Sequence, residues 1–364
     1  MSRKTDTHLA RTLVTPDLIE DFDCRDWEAL IGQARTSDLL GQLAERLLAA
    51  GRMEQVPAAV RFHLDAALRL AALHKASLLN ELAVIGAALQ DLGQPVLLLK
   101  GAAYAATGLL AGRSRVFNDI DLMVAKSVIK QAEGGLFRRG WLPTHLNAYD
   151  QRYYREWMHE LPPVEHRTRG TVIDLHHTIV PPTSGHIPDA AQLIADARPV
   201  QIPYSPDIFH VLTPVDMVMH SACHLFFGEL QKGLRDLYDL HCLLGEFAPA
   251  DGFWDALLPR AGQHQLEYPV LLAIHFSQRV FGTGVPEAVR DESTRRLSSR
   301  WMGRLTDHLI DASMYPLHPS SDSPWRRARR QILYARSHWL RMPLYQLLPH
   351  LAYKAFVHSD EHAG

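Results

Sequence analysis

The sequence predicts an α+β protein, with a mixed β-sheet core flanked by N-terminal and C-terminal α-helical regions. Three observations predict it. From Asp17 to Gly93 apolar residues recur at three- and four-residue spacing, the period of a helix with one buried face. Between residues 94 and 206 short apolar runs alternate with glycine and proline breaks, as strands do. Beyond residue 206 helical periodicity returns. The expected units are therefore 1–93 (helical), 94–206 (sheet core) and 207–364 (helical), a plausible count for 364 residues when domains run to about 100–200 residues.

Taken in order, the first fifteen or so residues are polar and expected to fray. Val56-Pro57 opens a long periodic segment, with Pro57 suited to a first helical turn. Leu64, Leu68 and Ala71 form one stripe, and Leu78, Leu82, Ile85 and Leu89 continue it. Lys75 interrupts the stripe, so a break or exposed turn is expected there, and Gly93 supplies a stop. Pro95 to Leu99 reads as a buried strand that breaks into a turn at Gly101 and a helix from Ala102 to Leu110. Ile120 to Val124 is the next strand, and Ser127 caps a helix to Arg139 closed by Gly140. Trp157 to Glu165 and Thr171 to Ile179 read as a hairpin, with Pro162-Pro163 weakening its first strand. A proline-rich stretch from Pro181 to Pro206 joins the core to the second helical region. Thr213-Pro214-Val215-Asp216 has a hydroxyl cap, proline at the first position and an acid three residues after the cap. Helices are expected over Pro214–Phe227, Leu234–Leu244 and much of Trp254–Phe281, with more up to about Phe356.

The chemistry concentrates at Asp119-Ile120-Asp121-Leu122-Met123-Val124. In a strand, side chains at i and i+2 leave on one face, so both carboxylates converge while Ile120 turns inward. Thr171-Val172-Ile173-Asp174-Leu175-His176 supplies a second strand with a third acid. Upstream, Leu97-Leu98-Leu99-Lys100-Gly101-Ala102 turns a strand into a helix whose N-terminal N–H groups suit an anion. Hard divalent cations take carboxylate oxygens and bridge them to phosphates, so this is equipment for Mg²⁺-dependent nucleotidyl transfer. Asp174 is either a third metal ligand or the base for the acceptor proton. A solvated strand end is the blander alternative for each acid, and a plain strand-to-helix turn for Lys100 and Gly101. Arg113 and Arg115 lie on the loop before the acids, and either suits bidentate contact with a triphosphate. His176 shares a face with Asp174, to orient it, to touch substrate, or simply to pack.

These residues carry a resemblance. The order LLLKGAA, RVFNDIDLMV, VIDLHH is similar to the polymerase-β-like nucleotidyltransferase superfold, and more narrowly to a bacterial group of uncharacterised nucleotidyltransferases. Members of that group read LKGAA, then R-x-x-x-D-I-D-L-L-V, then D-L-H. Lys100, Gly101, Ala102, Arg115, Asp119, Asp121, Asp174 and His176 fall on the pattern. The chain departs from the superfold in having Ala102 where serine is usual, Asn118 where a small residue is common, and a longer gap from Gly101 to Asp119. The resemblance implies a nucleotidyltransferase-fold core. It implies Asp119, Asp121 and Asp174 as catalytic residues and ligands of Mg²⁺, or Mn²⁺ in its place. It implies Lys100, Gly101, Ala102, Arg115 and His176 on an NTP substrate, Arg115 being the arginine at the family spacing. It says nothing of the acceptor.

In the C-terminal region Asp216, His220 and His224 are four residues apart and form one helical stripe. Two histidines at i, i+4 can hold zinc, but the glutamate of a metalloprotease His-Glu-x-x-His is missing. The favoured expectation is that His220 and His224 face the nucleotide cleft, with Lys232 and Arg235 adding positive charge. Arg235 with Asp239 reads equally as an ordinary ion pair. The mixture of arginines with Trp339, Leu340, Tyr345 and Leu348 from Arg326 to Phe356 reads as a helix packed on the domain, in preference to a basic membrane-surface helix.

Composition narrows the partners. A net charge of −2 gives no global basic field for nucleic acid. Cys24, Cys223 and Cys242 lack metal-ligand spacing and read as reduced thiols of a cytoplasmic protein. No apolar run is long enough to span a bilayer, and the N-terminus leads into no signal segment. Two rivals to nucleotidyl transfer remain: a non-catalytic nucleotide-binding or toxin–antitoxin-type interaction protein, and a metal hydrolase built on His220 and His224.

Overall fold

In the computed structural model, which describes residues 7–144, 147–299, 303–343 and 345–347, the chain begins with helices α1 (His8–Val14), α2 (Cys24–Thr36), α3 (Leu40–Ala49) and α4 (Ala58–Leu89). Helix α2 starts in a capping box, with the Asp23 side chain accepting from Asp26 N–H and the Asp26 carboxylate accepting from Asp23 N–H. Helix α4 runs unbroken for 32 residues. The expected break at Lys75 does not occur: lysine is a good helix former and its side chain points to solvent. The stripe Leu64, Ala71, Leu78, Leu82, Ile85 and Leu89 is buried as its spacing requires.

The sheet-bearing region contains β1 (Val96–Leu98), α5 (Lys100–Thr107), β2 (Asp119–Met123), α6 (Ile129–Arg138), β3 (Trp141–Pro143), α7 (Ala148–Arg152), β4 (Val164–His166), β5 (Val172–His176), α8 (Ala190–Asp196), β6 (Arg198–Pro199) and β7 (Phe209–Val211). Its seven strands lie in the order β3-β4-β5-β2-β1-β7-β6. Strands β2 and β5 are parallel, as are β1 and β7, and the other neighbours are antiparallel. The sheet is therefore mixed, as expected, and it runs on past residue 206 through β7. The proline-rich stretch is more than a joint, since it also holds α8 and β6.

Three local expectations are corrected. Ser127 caps nothing; it lies in a 3₁₀ turn over Lys126–Val128, and α6 begins after it without a side-chain cap. The strand expected over 157–165 is interrupted. Only Val164–His166 pairs with β5 as a strand, plus a single bridge between Glu160 and His176, because Pro162 and Pro163 have no N–H to donate. The left-handed residue of the β1–α5 turn is Lys100, with φ of 44°, and not Gly101. Gly101 is needed for clearance: a Cβ there would lie 3.1 Å from both Arg115 Nε and Phe117 Cδ1.

The helices that follow are α9 (Pro214–Phe227), α10 (Gly233–Phe247), α11 (Phe253–Gln263), α12 (Glu267–Phe281), α13 (Glu287–Ser298), α14 (Gly303–Asp311) and α15 (Pro324–Arg341). Thr213 caps α9 as its sequence indicates, accepting from Asp216 N–H at 3.2 Å. The Asp216 carboxylate turns to Arg260, accepting bonds of 2.7 and 2.9 Å. Helix α9 packs on α10, α11 and α12. Helix α15 packs on α9; its Leu333 is buried, Arg336 donates to Phe226 O at 3.1 Å and Arg341 to Phe227 O at 3.2 Å. Of the stretch 326–356, residue 344 and those beyond 347 lie outside the described residues. Among the described residues no helix is long and apolar enough to cross a membrane, and Cys24, Cys223 and Cys242 are free thiols.

Gly112, in the turn after α5, lies against that helix: a Cβ would sit 2.5 Å from Ala105 N and from Tyr104 C. Gly112→Ala is expected to cost about 1–3 kcal/mol of stability through forced backbone shifts, read as a lower midpoint in denaturant unfolding. An unchanged midpoint would mean the turn gives way freely.

Candidate active site

Strand pairing gathers the acids. Asp121 lies beside Asp174 across the parallel β2–β5 pair, with Asp119 beside Val172 and Met123 beside His176. Since i and i+2 share a face, Asp119, Asp121, Asp174 and His176 stand on one side of the sheet. Asp121 is buried and accepts two bonds on Oδ1, from Lys100 Nζ at 2.7 Å and from His176 Nε2 at 3.0 Å. The left-handed turn at Lys100 is what aims its ammonium back at β2. Such a conformation is costly for a non-glycine residue and persists only where its surroundings enforce it.

The electrostatics follow from that arrangement. Burial alone would raise the Asp121 carboxyl, but the Lys100 charge and the His176 hydrogen bond hold it well below the usual carboxylate range. The same contacts act in reverse on the partners. Burial lowers the Lys100 ammonium and the His176 imidazole, yet their interactions with Asp121 outweigh it, and Glu160 helps, so both are raised. Asp174 has no cation of its own. Loss of water, then the charges of Asp121 and Glu160, push it to about 7. Its Oδ1 is buried without a hydrogen-bond partner among the described residues. Asp119, at the open start of β2, is raised by lost solvation in the cleft and by Asp121.

A cavity of about 210 Å³ opens beside Asp119 and Asp121, lined by these two with Lys100, Gly101, Arg115, His224, Lys232 and Arg235, among others; Asp174 is set back on β5 and does not line it. The cavity is thus walled by the strand ends on one side and by α9 and α10 on the other, and its rim is cationic. Arg235 is held by Asp236 at 3.1 Å, and Lys232 is ion-paired with Asp38 of the α2–α3 turn. Arg115 lines the cavity but is mostly buried and ion-paired with Asp239 of α10. Asp239 therefore takes Arg115 and not Arg235, because Arg235 turns to Asp236. Of the remaining sequence candidates, Ala102 and His220 are buried and do not line the cavity, so of the expected histidine stripe His224 alone faces the cleft; burial holds His220 well below the usual imidazole range. Arg113 falls in a separate pocket with Arg46 and Glu246.

A second cavity of about 210 Å³ reaches Asp119 from the α4 side, and Phe117, Asn118 and Asp119 line both. Its far wall carries Glu81 and Arg169, which are ion-paired, with Arg169 Nη2 to Glu81 Oε2 at 3.1 Å. The Arg169 guanidinium also lies 5.0 Å from the Trp141 ring centroid.

Sequence reasoning did not single out His159 and Glu160. The Glu160 carboxylate lies 3.5 Å from His176 Nε2 and 3.9 Å from His159 Nε2. The usable signal was the adjacent His-Glu pair before Pro162-Pro163, where a regular strand cannot persist. Among the described residues, His159, Glu160 and His176 are the group of three potential ligands with donor atoms within 4.8 Å of one another. Among the described residues the histidine pair His220 and His224 belongs to no such group.

Asp119 and Asp121 differ in what their loss should do to the fold. Asp121→Asn leaves Lys100 buried without its counter-charge, and breaking a buried pair costs about 3–5 kcal/mol; Asp119→Asn should shift stability little. Denaturant unfolding of the two variants checks this, and equal midpoints would refute it. Asp174 makes a second test. Its pKa is raised from 3.8 to about 7, so the folded state holds a proton that the unfolded chain releases. The stability from this proton is fully present at low pH and is lost as pH rises toward and through 7. Asp174→Asn, which mimics the protonated acid, should therefore match wild type near pH 4 and melt higher at pH 8. Parallel melting curves across that range would reject the assignment.

The arrangement is a set of strand-borne carboxylates beside a cationic, half-covered cavity. No curated protein and no solved structure matches the chain. A family model described as uncharacterised nucleotidyltransferase matches residues 23–282, from α2 through α12 and including every strand. With that match over well more than half of its length, the chain belongs to the uncharacterised nucleotidyltransferase family.

Proposed function

We propose that the protein is a cytoplasmic, Mg²⁺-dependent nucleotidyltransferase that moves a nucleoside monophosphate from an NTP to a hydroxyl or phosphate acceptor, releasing pyrophosphate. The observation that carries the reading is the pairing of Asp119, Asp121 and Asp174 on adjacent strands beside the cationic cavity. The donor set suits a hard cation: all three candidate ligands are carboxylates, and the buried Asp174 Oδ1 has no hydrogen-bond partner among the described residues. Bound by these three, Mg²⁺ (or Mn²⁺) would neutralise phosphate charge and acidify the attacking hydroxyl.

The chain's own groups do the rest. Lys100, Arg235 and Lys232 offer positive charge to the triphosphate, with His224 beside them and Gly101 allowing close approach of backbone. The Arg115–Asp239 pair ties the loop before β2 to α10 and so keeps the two walls in register. His176 holds Asp121 in place. A carboxylate bound to the ion cannot also hold the acceptor proton, so Asp174 is the base only where Asp119 and Asp121 hold the ion without it; its pKa of about 7 in the metal-free protein suits that role. The acceptor oxygen bonds to the α-phosphorus, the bond from that phosphorus to the bridging oxygen breaks, and pyrophosphate leaves with the electron pair. The second cavity, sharing Asp119, is the approach for the acceptor.

A second reading is nucleotide binding without transfer. Lys100 favours it, because its ammonium sits on Asp121 as a bound cation would. Pyrophosphate release, together with the mass shift of candidate acceptors incubated with each NTP and Mg²⁺, decides between them. NTP binding with no release and no shift selects the second reading. If transfer occurs, Asp119→Asn should reduce it about 10³-fold, the several kcal/mol that metal-held charge stabilisation supplies. Asp174→Ala should lower kcat with little change in NTP affinity; a loss confined to affinity would remove Asp174 from the base role.

A further inference from the structure

We propose that His159, Glu160 and His176 form a binding site for a zinc-class divalent cation, which shares no ligand with the carboxylate set and is argued without the transfer reading. The argument begins with the backbone. Leu161 N–H donates to Leu175 O at 2.9 Å and His177 N–H to His159 O at 2.9 Å. With the Glu160–His176 bridge, these bonds pin residues 159–161 against the end of β5. In a continued strand His159 and Glu160 would point to opposite faces. The pairing stops at one bridge because Pro162 and Pro163 follow, and both side chains then reach His176: the His159 and His176 ring centroids are 5.1 Å apart.

The spacing suits a small ion. Zinc sits about 2.0–2.1 Å from imidazole nitrogen and carboxylate oxygen, which puts tetrahedral ligand atoms about 3.4 Å apart. The Glu160 Oε2 lies 3.5 Å from His176 Nε2 and 3.9 Å from His159 Nε2, and all three ligand atoms fall within 4.8 Å of one another, so side-chain adjustment about the pinned backbone closes the site. His176 is almost fully buried, and among the described residues neither its Nδ1 nor that of His159 has a hydrogen-bond partner. Two imidazoles and one carboxylate select a borderline metal such as Zn²⁺ or Co²⁺ over Mg²⁺, and three protein ligands leave a position open. His176 couples this site to the acids. A cation on its Nε2 excludes the bond from that atom to Asp121 Oδ1.

Co²⁺ is the probe. The full chain, stripped with chelator and kept in a large excess of Mg²⁺ to fill hard oxygen sites, is titrated with Co²⁺ and followed by visible absorption, without NTP. One equivalent should bind with the intense bands of a four- or five-coordinate site. His159→Ala and, separately, the more conservative Glu160→Gln should each weaken binding by about 100-fold or more, at least the loss seen for indirect supporting residues. Asp119→Asn should leave it unchanged. Absence of the bands, equal affinity in Glu160→Gln, or loss in Asp119→Asn alone would overturn the proposal. Neither result bears on whether NTP is turned over.

Discussion

The site depends on one buried contact, the pairing of Asp121 with Lys100 and His176. A carboxylate this enclosed cannot stay ionised without compensation, since burying an unpaired charge is among the most costly things a fold can do. Lys100 and His176 supply the compensation from two different elements, the β1–α5 turn and the end of β5. The contact therefore fixes the turn, the register of two strands and the charge of the site together. It also explains why Lys100 occupies a left-handed conformation that glycine would take more readily: glycine has no ammonium to bring back to β2.

That contact divides the labour of the three acids. Asp121, compensated, stays ionised at any ordinary pH. Asp174, one strand away and uncompensated, is pushed toward neutrality by burial first and then by the very charge that Lys100 and His176 stabilise. Two carboxylates in one small volume are thus driven apart in proton affinity, one fixed as an anion and the other poised to exchange a proton. Asp119, at the mouth where the two cavities meet, is the acid with access to both.

Much of this was legible in the sequence because it depends on local periods. Asp119 and Asp121 share a face by strand alternation, α4 follows from a stripe at helical spacing, and α9 begins where a hydroxyl, a proline and an acid say it should. What escaped was set by contacts distant along the chain. Nothing near Arg115 announces Asp239, and nothing near Lys232 announces Asp38. The short strands β3, β6 and β7 escaped because two or three residues are too few to show a period. His159 and Glu160 escaped for a subtler reason. Reading 157–165 as a strand sends the two side chains to opposite faces, and only the failure of that strand at Pro162-Pro163 lets them converge.

The same contacts bear on how the cavity is assembled. The cations of its helical wall, Lys232 and Arg235, lie in the turn after α9 and on α10, far along the chain from the acids they face, while burial keeps His224 of α9 neutral. Packing alone would leave this wall free to slide, because apolar contact is not directional. Two ion pairs constrain it. Arg115, on the loop leading directly into β2, is paired with Asp239 of α10. Lys232 is paired with Asp38 in the N-terminal region. One of these is buried and the other exposed, so they are not equivalent. An exposed pair contributes little to stability and is screened by salt, whereas the buried pair has directional hydrogen bonding and no competing water. Arg115–Asp239 is accordingly the contact that sets the distance between the acids and the cationic wall, and Lys232–Asp38 is the one that can open when a polyanion offers Lys232 a better partner.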